Sequence, residues 1–148
     1  MKKLDGILLI DDDETNNFLN QRLFARLGLC SKVKVLPNGN QAFNYLYNIS
    51  RNNYDLQSPE YFRPDLILLD VNMPVMDGFE FMDLYEKLDN DFRSRIVLAF
   101  LSTSSHPLDI EKSKKYRIEY LTKPLTAEKM SSLISRHFPE EKQSIPNS

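Results

Sequence analysis

Five short apolar runs punctuate the chain: ILLI at 7–10, VKVL at 33–36, LILL at 66–69, IVLAFL at 96–101 and IEYL at 118–121. Each has the length of a β-strand and is too short for a buried helix. LILL and IVLAFL are apolar at nearly every position, the pattern of strands covered on both faces by helices. VKVL and IEYL alternate more with polar residues and suit the edges of a sheet. Between the runs, apolar residues recur at helical spacing: Phe18, Leu19, Leu23, Phe24 and Leu27 ahead of Gly28; Ala42, Phe43, Leu46 and Ile49; Phe79, Met82, Tyr85 and Leu88. A weaker set is Leu108, Ile110 and Tyr116, and the last is Met130, Leu133, Ile134 and Phe138, behind the N-cap residue Thr126. Strand and helix thus alternate five times, which predicts right-handed crossovers and an open, doubly wound α/β sheet with helices on both faces. In such folds ligands lie beyond the carboxyl ends of the strands, near the point where strand order reverses.

Composition narrows this picture. The 148 residues fit one domain. Nineteen Lys and Arg against 21 Asp and Glu leave a net charge of −2, so no broad basic surface offers itself to nucleic-acid phosphates. The single cysteine, Cys30, has no disulfide partner and no metal-ligand spacing, and is expected as a buried thiol in a reducing compartment. No apolar run approaches the roughly 18 residues of a membrane span, and the start MKKLDGILLIDDDE meets charges too early for a signal peptide. A cytoplasmic protein with no membrane partner is expected. The segment 50–64 exceeds the usual connection of about 2–6 residues, and its Tyr54, Tyr61 and Phe62 are expected to pack onto the domain. The domain is expected to occupy 1–138, with the polar stretch 139–148 a flexible tail.

The strand ends carry the chemistry. Asp11, Asp12 and Asp13 follow the first run and Asp70 follows the third. Carboxylates a few ångströms apart repel by about 4 kcal/mol per pair at 4 Å and an effective dielectric near 20, so such a cluster takes up protons or a cation. Mg2+, a hard ion content with one or two protein carboxylates, waters and a phosphate oxygen, fits. Ser102 and Thr103 follow the fourth run and Lys123, with Pro124, the fifth. Singly, each feature has a bland explanation: an acidic helix start, a capping pair, a strand ending. Asp13 is itself best read as a helix-start charge. Together they supply what an acyl phosphate needs, namely a nucleophilic carboxylate, a metal, an ammonium and a hydroxyl donor.

On these residues the chain resembles the response-regulator receiver domains of two-component signalling, and the chemotaxis-type single-domain regulators among them. The resemblance covers about residues 4–138 and rests on ILLIDDDETN, PDLILLDVNMPVMDGFEF, the hydroxyl after VLAFL, and EYLTKPL. It implies a flavodoxin-like fold whose five-stranded parallel sheet runs in the order 2-1-3-4-5. It further implies that Asp70 is the phosphoacceptor, that Asp12 binds Mg2+ directly and Asp11 through water, and that Asn72 lends its backbone carbonyl. Ser102 matches the switch hydroxyl, Lys123 the phosphate-contacting lysine and Tyr120 the switch aromatic. The Lys123–Pro124 bond is expected to be cis, and Pro74 and Gly78 shape the turn after Asp70. Thr103 is bulkier than the alanine or glycine usual there, which would narrow access to the phosphoryl group. Implied partners are a sensor histidine kinase or histidine phosphotransfer protein, a downstream protein, and a second copy through the face of the fourth helix, fifth strand and fifth helix. The implied role is a signalling receiver that catalyses only its own phosphorylation and slow dephosphorylation.

Two other readings compete. IDDDET also satisfies the pattern of haloacid-dehalogenase-type phosphatases, with Asp11 as nucleophile and Asp13 as general acid, but no acidic pair follows Lys123 at a strand end and Asp70 would have no job. A receiver-like module that is never phosphorylated would usually lack the acceptor, the acidic pair or the lysine, and Asp11, Asp12, Asp70, Ser102 and Lys123 are all present. No Gly-rich phosphate loop follows any strand.

Overall fold

The computed structural model describes residues 3–55, 57–103 and 106–139. Its strands are β1 (Leu4–Ile10), β2 (Cys30–Leu36), β3 (Leu66–Leu69), β4 (Val97–Ser102) and β5 (Glu119–Thr122). Its helices are α1 (Glu14–Leu27), α2 (Gly39–Ser50), α3 (Gly78–Tyr85), α4 (Pro107–Lys114) and α5 (Ala127–His137), with a single further turn at Asn90–Arg93. All neighbouring strands are parallel, in the order β2-β1-β3-β4-β5, so the two alternating runs do form the edges.

The core has two layers, because successive strand residues face opposite sides of the sheet. Leu8, Ile10, Ile67, Leu69 and Phe100 pack with α2, α3 and Tyr116, while Ile7, Leu9, Leu66, Leu68 and Ala99 pack with α1 and α5. Caps fix where the helices begin and end. Asp13 accepts the Asn16 N–H at 3.1 Å to start α1, Gly28 closes it at φ +58, Thr126 caps α5, and Asp77 and Glu80 form a reciprocal capping box on α3.

Three expectations are corrected, and one element is new. Phe18 and Leu19 were expected on the core face of α1 but are both 57% exposed, while Asn17 and Asn20 are buried. The stripe 17, 20, 23, 24 is also helical, and turning it inward lets the Asn17 amide donate to the Asp11 carbonyl at 2.9 Å. Cys30 is half-buried, because it opens an edge strand, and burial still pushes its thiol pKa up. Leu108 is 72% exposed, and α4 buries only Ser113. The turn at Asn90–Arg93 was not expected; it seats Phe92 in the core.

In the segment 50–64, Tyr54, Tyr61 and Phe62 pack onto the domain as expected. Tyr61 stacks on Tyr45 at 5.4 Å and on Tyr54 at 5.5 Å, and Phe62 meets Tyr45 edge-on at 6.4 Å. The Tyr45 hydroxyl lies 3.1 and 3.0 Å from the carbonyls of Glu60 and Phe62 and accepts the Phe62 N–H at 2.9 Å. Of the expected tail only Pro139 is described; 140–148 lie outside the described residues. Among the described residues no helix is long and apolar enough to cross a membrane.

Candidate functional site

β1 and β3 lie side by side, and a carboxylate follows each. The Asp70 N–H donates to the Ile10 carbonyl at 2.9 Å and the Asp11 N–H to the Leu36 carbonyl at 3.1 Å, so the ends of the sheet ladder hold both backbones. Oxygens of Asp11, Asp12 and Asp70 fall within 4.8 Å of one another. Asp11 and Asp70 are buried, whereas Asp12 faces solvent. Asp13 stays outside this cluster, turned to its capping role as expected.

Asp11 is held on every side. Its Oδ1 accepts the Asp13 N–H at 2.9 Å, and its Oδ2 accepts the Asn16 amide at 3.0 Å and meets Lys123 Nζ at 2.7 Å. The same Nζ stands 3.8 Å from Asp70 Oδ1, which also accepts the Asn72 N–H at 3.4 Å. Burial above all, and then the Asp11 carboxylate, push the Asp70 pKa from 3.8 up to about 7, against the pull of Lys123 and the Asn72 N–H. Two of the three clustered carboxylates, Asp11 and Asp70, thus share the Lys123 ammonium. The donor set consists of carboxylate oxygens carrying excess negative charge, which suits a hard divalent cation.

β4 and β5 complete the crevice. Ser102 ends β4 with no exposed surface, and its carbonyl accepts the Lys123 N–H at 2.8 Å. Thr103 beside it is exposed. The Lys123–Pro124 bond is cis. Tyr120 lies half-buried on β5, its ring 6.1 Å from that of Phe100. On the rim, the Met76 N–H donates to the Pro74 carbonyl at 2.8 Å, which holds Val75 at φ +71 and 90% exposed. Gly78 is required sterically: a Cβ there would stand 2.5 Å from the Asp70 carbonyl. A cavity of about 310 Å³ opens beside Asp12, walled by Asn38, Pro74, Val75 and Met76.

Asp11, Asp12, Asp70 and Lys123 therefore converge as the sequence implies, with Asn72, Ser102 and Thr103 at the margins. Two supporting groups escaped sequence reasoning. Asn16 and Asn17 fix the Asp11 side chain and backbone, and Lys129 donates to the carbonyls of Thr122 at 2.7 Å and Pro124 at 3.0 Å, pinning the turn that carries Lys123. Asn16 and Asn17, a turn after the aspartates, were the available signal; a lysine early in a helix gives none.

This crevice on a 2-1-3-4-5 sheet agrees with the comparisons. The response regulator receiver domain model matches residues 7–135, and the chain belongs to that family, which serves two-component signalling. The chain is 33% identical over 118 residues to the response regulator Rcp1 of Synechocystis sp., covering 79% of this chain and 75% of Rcp1. It is 27% identical over 129 residues to the probable methanogenesis regulatory protein FilR2 of Methanothrix harundinacea, covering 86% and 77%. Against the peroxide stress-activated histidine kinase mak1 of Schizosaccharomyces pombe it is 30% identical over 133 residues, covering 88% of this chain but 7% of the kinase. Among solved structures, a two-component response regulator from Cytophaga hutchinsonii superposes with a TM-score of 0.78 at 29% identity, covering 94% of this chain and all of that one. The phosphorylated cyanobacterial phytochrome response regulator RcpA gives 0.70 at 27%, covering 91% and 94%.

Proposed function

We propose that this protein is a phosphorylation-driven switch in which Asp70 takes a phosphoryl group from the phosphohistidine of a sensor kinase or histidine phosphotransfer protein. The observation that carries the reading is the set of three carboxylates within 4.8 Å of one another at the ends of β1 and β3, two of them paired with the Lys123 ammonium. That the related RcpA was solved phosphorylated supports it. An Asp70 carboxylate oxygen attacks phosphorus; the new O–P bond forms as the P–N bond breaks, and the imidazole leaves. Lys123 pairs with a phosphoryl oxygen, the Ser102 hydroxyl donates to another, and Thr103 narrows the approach. Asp11, Asp12, Asp70 and the Asn72 carbonyl would hold Mg2+ there, which would supply charge neutralisation at the phosphoryl oxygens. Pro74, Gly78 and Pro124 shape the enclosing turns.

The protein's own chemistry ends with this transfer and the slow hydrolysis of the acyl phosphate, in a cytoplasmic receiver spanning 1–138 with 139–148 as its tail. A phosphoryl group brings about −1.5 to −2 charges, draws Ser102 towards it and frees room for Tyr120 to move inward. The face of α4, β5 and α5 then changes shape and binds a downstream protein or a second copy. Incubation with a small acyl phosphate and Mg2+ is expected to add one phosphoryl group by intact mass, absent in Asp70→Asn. Labelling that survives in Asp70→Asn would overturn the assignment.

A further inference from the structure

The chain is electrically lopsided in a way the phosphoryl chemistry does not use. Residues 15–54, which build α1, β2 and α2, contain five Lys and Arg and no Asp or Glu, in a chain whose net charge is −2. Three of these cations, Lys32, Lys34 and Arg51, lie on β2 and at the end of α2. β2 is an edge, so its outer side has no strand neighbour. Val33 and Val35 pack toward the α1 layer, which leaves Lys32 and Lys34 on the other face, their ammoniums 5.9 Å from the Phe62 ring and 5.5 Å from the Tyr45 ring.

Two grooves flank these lysines. One, of about 380 Å³, runs between β2 and the loop residues Pro59, Glu60 and Phe62; the other, of about 250 Å³, lies between Lys34, Asn44, Tyr45 and Tyr61. Lys34 borders both, so they form one track along the strand. The far wall is fixed in advance, because the Tyr45 hydroxyl clamps the main chain at Glu60 and Phe62. Lysines alone would only deter pairing with another sheet edge. A rigid aromatic wall beside an open edge, with cations at alternate positions, goes further.

We infer that the β2 edge is a second binding surface, independent of the phosphoacceptor crevice, that takes an extended acidic polypeptide segment as an added strand. Main-chain hydrogen bonds to β2 would hold it, and carboxylates two residues apart would lie along the grooved face and meet Lys32 and Lys34. The two-residue repeat of a strand matches the Lys32–Lys34 spacing. A single-stranded nucleic acid would use the cations and rings but not the strand edge.

The test uses the full chain and a fluorescent heptapeptide of alternating Glu and Val, followed by anisotropy and by backbone amide shifts. Binding with shifts centred on Ser31–Leu36, weakened at least tenfold by Lys32→Glu/Lys34→Glu, is expected. The charge-matched variant Lys87→Glu/Arg95→Glu is expected to change affinity less than twofold. The same peptide N-methylated at alternate residues loses its donors without touching the protein, and should bind at least tenfold more weakly. Equal losses in the two double variants, unchanged binding of the methylated peptide, or tighter binding of oligothymidylate than of the peptide would each overturn the inference.

Discussion

One short strand carries an ion cluster at each end. Just past the carboxyl end of β5, Lys123 pairs with two of three clustered carboxylates, Asp11 and Asp70, and all three of these side chains are at most 9% exposed. At the amino end, Glu119 is met at 2.5 Å by both Arg136 and His137 of α5, with side chains 29–46% exposed. The first cluster has too few cations and the second has one or two for a single carboxylate. The pKa shifts follow: Asp70 is pushed up, while at Glu119 the hydrogen bonds from Arg136 and His137 overcome the raising effect of burial and hold the carboxyl below its usual range. The larger cavity, about 450 Å³, lies at the Glu119 end, so size does not mark the reactive site. Charge left unbalanced in a buried place does, because it is kept only where a ligand can answer it.

The largest test of that contrast removes the lone cation. Lys123→Met leaves buried carboxylates unpaired, a loss that typically costs about 3–5 kcal/mol. In chelator at neutral pH the variant should unfold at markedly lower urea, and added Mg2+ should restore part of the loss by replacing the missing positive charge. Phosphoryl transfer should slow by about 10²-fold or more. A variant as stable as the parent would mean that the crevice is balanced by groups other than Lys123.

The next largest effect is a pH dependence. A carboxyl with a raised folded-state pKa contributes stability that is present below its unfolded value and lost as pH rises through the folded one. For Asp70 the window runs from 3.8 to about 7. Metal-free protein should therefore lose on the order of 3 kcal/mol across it, at about 1.4 kcal/mol per unit with a discount for coupling to Asp11. Asp70→Asn should flatten that slope in urea titrations, and saturating Mg2+ should reverse it above neutrality. An unchanged slope in Asp70→Asn would place the imbalance on another carboxylate.

Which parts of this contrast could be read from the chain follows from how each is encoded. The alternation of strands and helices and the convergence of Asp11, Asp70 and Lys123 were legible because strand ends are punctuated by abrupt polarity and the topology sends them to one side, whereas the strand order came only with the family resemblance. The rotation of α1 was not. Periodicity favours burying Phe18 and Leu19, and only a tertiary hydrogen bond to the Asp11 carbonyl explains Asn17 pointing inward instead. The turn at Asn90–Arg93 is shorter than any period can reveal. The Tyr45 clamp and the Lys129 contacts join residues that look like ordinary core and surface positions. Glu119 was likewise one more polar residue in an alternating strand, its partners 17 and 18 positions away in the chain.

The smallest effect belongs to that end. Glu119→Gln removes two exposed ion pairs, and pairs of this kind contribute about 0.2–1 kcal/mol each way of counting, less in salt. Because the Glu119 carboxyl is held low, its contribution is present above the ordinary glutamate range and disappears as pH falls through the folded value. The variant should thus lose under about 1 kcal/mol near neutrality and match the parent in strong acid or high salt, with Asp70 labelling unaltered. Four residues along a strand separate the clusters by about 13 Å at roughly 3.3 Å per residue, beyond the range at which substitutions usually couple. Glu119→Gln and Lys123→Met should then add within about 0.5 kcal/mol in a double-variant cycle. A larger coupling energy would show that β5 transmits strain from one end to the other, and the balanced cluster would have to be counted as part of the switch.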